Sequence, residues 1–253
     1  MSLPLQGKVA LVTGAGKNIG RGIAQTLAAD GATVLVNGRS DRAAVDEVVA
    51  EIQKAGGKAA AAMGDVSDPA IAPKLAEQAQ KQFGGVDILV SNAGLRRQTS
   101  FLDMSFEEWR EIMSVALDGA FLLGKAFIPQ MVAKGKGGSF VAMSGVSTHV
   151  ATLNRCHVSA SKSGLEGLMR ALARELAPHK ITCNAVAPGA IDTARAATAG
   201  PRPIQGRPIP LGRLGHVEEI AAMVRLLVGP QGTFITGQTI HVNGGEYLSL
   251  IHI

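Results

Sequence analysis

Aromatic residues and cysteine are scarce in this chain. A single tyrosine, Tyr247, and a single tryptophan, Trp109, occur in 253 residues, and aromatics make up only 4% of the total. The basic residues are scattered and form no run. The net charge of +5 and the pI near 9.4 therefore do not describe a nucleic-acid interface, which gathers Lys and Arg on one face, and an anionic cofactor or substrate accounts for them more simply. With only Cys156 and Cys183 present there is no disulfide framework, and a reducing compartment is the expectation. No segment offers the roughly 18 to 20 uninterrupted apolar residues of a membrane span, and the opening MSLPLQGK has no apolar run. A soluble cytoplasmic protein with no membrane, nucleic-acid or metal partner is expected.

What the chain does have is a regular alternation. With 46% hydrophobic and 18% charged residues it can bury the core of one α/β domain covering residues 1–253. Short apolar runs at Lys8–Thr13, Thr33–Asn37, Ala59–Met63, Val86–Ser91, Ser139–Met143, Thr182–Ala187 and Thr239–Val242 alternate with helical-period segments. Those segments begin near Ile19, Arg42, Pro69, Ser105, Leu153 and Val217. The pattern predicts a doubly wound, seven-stranded parallel sheet with helices on both faces. One irregular stretch, residues 194–210, holds four prolines and three arginines and reads as a substrate loop or lid.

The first strand runs into TGAGKNIGRG, Thr13 to Gly22, and then into a helix. Glycines there let backbone amides approach a pyrophosphate, and the helix N-terminus favours negative charge. The second strand ends in NGRS, with Gly38 and Arg39 where an acidic residue would bind the ribose of NAD. Arg39 and Lys17 are suited to clamping a 2′-phosphate, so NADP(H) is expected over NAD(H); solvated surface charge is the competing reading of both.

These motifs carry a resemblance to the short-chain dehydrogenase/reductase family over almost the whole chain, Leu5 to Gly245. The pattern TGxxxGxG is matched at Thr13, Gly14 and Gly20, with Asn18 in place of the middle glycine. Asp65 and Val66 resemble the pair beside adenine, and Ser91, Asn92, Ala93 and Gly94 resemble the family's NNAG turn. Pro188, Gly189, Ile191 and Thr193 resemble the segment beside the nicotinamide amide. The resemblance implies a single Rossmann-fold domain, with Gly14, Lys17, Asn18, Ile19, Gly20, Arg39, Asp65, Val66, Asn92, Ala93, Gly94, Lys162, Pro188, Gly189, Ile191 and Thr193 around the dinucleotide. It also implies a homotetramer assembled through the fourth and fifth helices and the last strand.

The family's usual catalytic residues are an Asn, a Ser, and the Tyr and Lys of YxxxK. In this chain Lys162 stands at the lysine position and Val158 at the tyrosine position, four residues earlier on the same helix face. Gly145 stands at the serine position and Ala116 at the asparagine position. A divergent member with an atypical active site is expected. General acid catalysis is worth about a hundred- to ten-thousand-fold in rate, so unassisted ketone reduction is not the expected activity. Dienoyl-CoA reductases offer a local parallel, because they lack this tyrosine, keep the lysine, and in some cases carry a His where His157 stands here.

Replacement groups are sought in Ser144, Ser147 and His149 on the loop and in His157 on the helix, since His titrates near neutral pH. Asn154, Arg155, Val158 and Gly145 are expected to line the substrate pocket. Arg96 and Arg195, with their neighbours Arg97, Arg202 and Arg207, suit a small acidic substrate. Three functions compete. One is an NADP(H)-dependent oxidoreductase reducing an activated C=C, C=N or electrophilic C=O bond. Another is a non-redox lyase, hydrolase or isomerase using His149 or Ser147, and the third is a catalytically silent NADP(H)-binding protein.

Overall fold

Strands this short and this apolar are stable only when both faces are covered, and the chain covers them by winding helices alternately to either side. The computed structural model describes residues 3–194 and 208–248. Among them lie seven strands: β1 (Val9–Val12), β2 (Thr33–Gly38), β3 (Lys58–Met63), β4 (Ile88–Ser91), β5 (Gly138–Met143), β6 (Ile181–Pro188) and β7 (Thr239–Val242). They form one sheet in the order β3-β2-β1-β4-β5-β6-β7, and every pairing is parallel. The order reverses beside β1, so the chain leaves the carboxyl ends of the paired strands β1 and β4 toward opposite faces of the sheet, at the switch point where such sheets bind ligands.

The helices are α1 (Asn18–Ala29), α2 (Arg42–Lys54), α3 (Ile71–Phe83), α4 (Phe106–Met113), α5 (Gly119–Lys134), α6 (Ser147–Val150), α7 (Cys156–Leu176) and α8 (Val217–Val228). Local chemistry sets their ends. Asp41 caps α2 by accepting from the Ala44 amide at 3.1 Å, and Ser105 caps α4 by accepting from Glu108 at 3.1 Å. The alternating faces of the strands feed two cores. Ala10, Val12, Val34, Val36 and Val141 pack with α1, α2 and α8, whereas Leu11, Leu89, Phe140 and Ala142 pack with α3, α5 and α7.

All seven expected strands are present, and three helical details differ from expectation. The helix expected near Pro69 begins at Ile71, because the Asp68 side chain accepts from the Ala70 amide at 2.8 Å and holds a turn first. The helix expected near Leu153 begins at Cys156, because Ala151 and Asn154 adopt positive φ values of 53° and 59° and turn the chain before it. A π-helical turn, Ser114–Asp118, joins α4 to α5. The resulting 29-residue helix, Phe106–Lys134, is long and apolar enough by composition to cross a membrane. Its Ala120, Leu123, Phe127 and Met131 stripe is instead buried in the second core. Most of the expected lid, residues 195–207 with Arg195, Arg202 and Arg207, lies outside the described residues.

Phe140 on β5 is fully buried at the centre of the second core. Phe140→Ala is expected to cost about 3–5 kcal/mol, read as a lowered midpoint in urea unfolding.

Candidate active site

The head of the crevice is built from the ends of β1 and β4. Thr13 Oγ1 accepts from the Asn92 and Ala93 amides, each at 3.0 Å. The Asn92 side-chain amide in turn donates to the Thr13 carbonyl at 2.9 Å and to that of Gly14 at 3.2 Å. This pulls the glycine-rich turn against the SNAG turn so closely that a Cβ on Gly20 would stand 2.4 Å from the Gly14 carbonyl oxygen. Asn18 holds a positive φ of 51°, so the turn keeps its left-handed geometry without the middle glycine. The first turn of α1 carries no acidic residue, whereas those of α4 and α8 each carry two glutamates. The free amides at the head of α1 thus face the crevice with their positive dipole end uncompensated, which suits a pyrophosphate.

The adenosine side also fits a dinucleotide. Arg39, exposed at the end of β2, has its guanidinium 3.9 Å from the Asp65 carboxylate. The other Asp65 oxygen accepts from the amide and hydroxyl of Ser67, at 2.9 and 2.7 Å, and Val66 is buried beside them. Lys17 is exposed at the N-cap of α1. At the opposite end, the Pro188 carbonyl accepts from the Val146 amide at 2.9 Å, and the Gly189 amide donates to Val242 at 3.0 Å. Ile191 forms a bridge with Gly215, and the Thr193 hydroxyl turns back to the Ile191 carbonyl at 3.5 Å.

Lys162 projects from α7 to the end of β5, where its ammonium donates to the Met143 carbonyl at 2.6 Å. A Cβ on Gly94 would meet the Lys162 Nζ at 3.4 Å, which places the lysine against the SNAG turn. Burial, with the Arg96 charge adding to it, lowers the Lys162 pKa to about 8. Val158, one helical turn before it, is buried, and Ala116 is buried in the π-helical turn. At Gly145 a Cβ would meet, among the described residues, one neighbour within 4 Å, the Ser147 hydroxyl at 3.7 Å.

The other replacement candidates turn elsewhere. Glu166, one turn beyond Lys162, is buried, and its carboxylate collects the Ser144 hydroxyl, the His149 Nε2 at 3.0 Å and the Thr148 hydroxyl at 3.5 Å. The His149 ring is T-shaped to His241, with centroids 4.5 Å apart, and lies 4.9 Å from Tyr247. Burial, then the His149 charge, lowers the His241 pKa against the pull of Glu166. Glu166 lies two helical turns, about 12 Å of rise, from Val158; Ser144 and His149 bond to it, and Tyr247 packs on His149 and His241. His157 is fully buried on a third side, with its Nε2 3.1 Å from Glu108, which also accepts from the Thr99 hydroxyl at 2.6 Å. Its pKa is lowered by burial, which outweighs the opposing pull of Glu108. Arg155 is buried at the N-cap of α7, Asn154 is exposed and its carbonyl accepts from the Thr99 amide at 2.9 Å, and Arg96 is exposed near Lys162. Glu166, Glu108, His241 and Glu246 were not singled out from sequence. The spacing of Glu166 four residues after Lys162, on one helix face, was the available signal for the first of them.

Residues 14–246 match the sequence profile of a family described as enoyl-(acyl carrier protein) reductase. The chain is 40% identical over 245 residues to the 3-oxoacyl-[acyl-carrier-protein] reductase of Escherichia coli K12, covering 96% of this chain and 98% of that protein. The chain belongs to the short-chain dehydrogenase/reductase family. It is also 38% identical to the L-rhamnose 1-dehydrogenase (NAD(P)(+)) of Sphingomonas sp. SKA58, over 97% of this chain and 98% of that one. A solved Sinorhizobium meliloti 1021 chain, provisionally described as a short-chain alcohol dehydrogenase, superposes with a TM-score of 0.90 at 35% identity, covering 97% of this chain and 98% of its own. Such kinship makes this short-chain dehydrogenase/reductase an oxidoreductase.

The depressed pKa of Lys162 sets a pH signature. Between about 8 and the ordinary value of 10.5 the unfolded chain binds more protons at this lysine than the folded one does, so this group makes stability rise with pH across that window. Urea unfolding of wild type and Lys162→Met through that window should show the rising contribution in wild type and its loss in the variant.

Proposed function

We propose that this protein is an NADP(H)-dependent reductase of an already polarised bond, a conjugated C=C, a C=N or an electrophilic C=O, in a small substrate bearing an acidic group. The observation that carries the reading is the asymmetry of the crevice. Its dinucleotide side is complete from Gly14 to Lys162, while the tyrosine position is filled by buried Val158 and the only tyrosine stacks on His149 and His241. Relatives named for 3-oxoacyl reduction and for L-rhamnose oxidation support nicotinamide chemistry; their two substrates differ, so the substrate class is taken from the site.

The residues fit the dinucleotide. Gly14, Asn18, Ile19 and Gly20 at the head of α1 would hold its pyrophosphate, Lys17 and Arg39 a 2′-phosphate, Asp65 and Val66 the adenine, and Asn92, Ala93, Gly94 and Lys162 the nicotinamide ribose. Pro188, Gly189, Ile191 and Thr193 would hold the nicotinamide amide. When bound, the reduced cofactor supplies hydride. Ser147 presents its hydroxyl to the space that a side chain at Gly145 would enter, so it is the group placed to hold the acceptor oxygen. An iminium acceptor takes up hydride alone, and a conjugated one takes up hydride and a single proton that solvent can deliver to the enolate, so neither needs a strong acid there. Arg96, with Arg155 and Arg195, would receive the acidic group. By the same family reading the protein works in the cytoplasm as a homotetramer, and the exposed Phe106 and Phe121 on α4 and α5 suit a subunit contact.

NADPH oxidation should appear with enals, cyclic iminium ions or α-diketones bearing a carboxylate, and be far slower with simple ketones; no oxidation across that panel, with cofactor binding verified, defeats the reading. Ser147→Ala should lower kcat about tenfold or more, and adding Gly145→Ser to it should restore most of the loss, since among the described residues a Cβ at 145 meets nothing closer than 3.7 Å. Arg39→Ala should weaken NADPH binding at least tenfold in fluorescence titration and leave NADH little changed.

A further inference from the structure

Asn18 occupies a backbone conformation that glycine adopts at no cost and other residues adopt only with strain. Asn tolerates that region better than most residues, and the Asn18 side chain also makes a contact 176 residues away in the chain. Its carboxamide nitrogen donates to the Ala194 carbonyl at 2.9 Å, and its carboxamide oxygen accepts from the Ala194 amide at 3.1 Å. One side chain thereby engages both main-chain groups of one residue, in the manner of a strand neighbour.

The segment so engaged leaves β6 toward the nicotinamide end of the crevice. It is fixed at one end by Ile191 and Asp192 on Gly215, the Asp192 amide donating to the Gly215 carbonyl at 2.8 Å. At the other end it is fixed by Asn18. Thr193 is suspended between the two anchors, and one of those anchors is part of the turn that would hold the pyrophosphate. The bridge spends only the Asn18 carboxamide, so the main-chain amides at the head of α1 stay available to an anion while it is closed.

We propose that Asn18 is a positioning residue that straps the Ile191–Ala194 segment over the dinucleotide, so that cofactor leaves only when the two Ala194 hydrogen bonds break. The strap rests on the dinucleotide reading above. It slows release and keeps Thr193 in place without contributing to the reacting atoms.

Asn18→Gly removes the strap and keeps the positive φ without strain, so the variant should fold as wild type does. Hydrogen exchange at the Ala194 amide in the ligand-free protein should be protected in wild type and lose that protection in the variant. Stopped-flow displacement of NADPH should show a release rate raised about fivefold or more, from the loss of two hydrogen bonds, with the association rate changed less than about twofold. Asn18→Asp, which keeps the acceptor but replaces the donor with a negative charge, should release at least as fast as Asn18→Gly. An unchanged release rate, an association rate that rises while release stays constant, or an unprotected Ala194 amide in wild type each overturns the strap while leaving cofactor binding intact. Failure of wild type to bind either NADPH or NADH overturns the dinucleotide reading itself.

Discussion

The site depends on one hydroxyl. Thr13 Oγ1 receives two amides from the turn after β4 and itself donates to the Val90 carbonyl at 3.4 Å. It thus ties the turns that follow two paired strands, from which the chain departs in opposite directions. Asn92 answers by donating to two carbonyls of the opposite turn. With both turns drawn together, Gly20 has no room for a side chain, the head of α1 points into the crevice, and Gly94 comes within contact of Lys162. A hydroxyl and a carboxamide do this because buried turns must satisfy their main-chain groups locally, and few side chains can reach several of them at once.

The side of the crevice between β5 and α7 shows a different economy of polar groups. Glu166 is buried without a Lys or Arg partner among the described contacts, and three donors converge on its carboxylate: two hydroxyls and an imidazole. Such convergence satisfies the buried carboxyl group and fixes the short loop through Ser144 and His149, which also carries Gly145 and Ser147. The hydroxyl beside Gly145, that of Ser147, therefore stands on α6, a single turn of helix, rather than on the end of a sheet strand. Its placement is set by the Glu166 hub and by the Val146 amide bonded to Pro188.

The fold was legible because its signals are local and repeated: apolar runs of strand length, capping Asp41 and Ser105, and a glycine-rich turn between a strand and a helix. The glycine-rich and SNAG turns were legible for the same reason, being short motifs whose backbone geometry follows from their residue types. Side-chain partnerships on the chemical side were not. Ser144, His149 and His157 each carry suitable chemistry, but which way each turns is decided by carboxylates at Glu166 and Glu108, one of them in a helix 49 residues away from its histidine. The turn of the chain at Ala151 was equally hidden, since an alanine gives no sign of a positive φ, although Asn154 tolerates one. Asn18 lies between these cases, its backbone readable from its residue type and its partner Ala194 invisible from sequence.

The lowered pKa of Lys162 also changes what kind of nucleophile the folded protein offers to its surroundings. With a value of about 8, roughly a tenth of this amine is unprotonated at pH 7, against less than about a thousandth for an ordinary lysine. An electrophile small enough to enter the crevice, an activated ester or an aldehyde, therefore meets one lysine that reacts ahead of the surface ammonium groups. The same burial that removes water from around the ammonium makes this position chemically addressable, and a label placed there would report directly on the crevice.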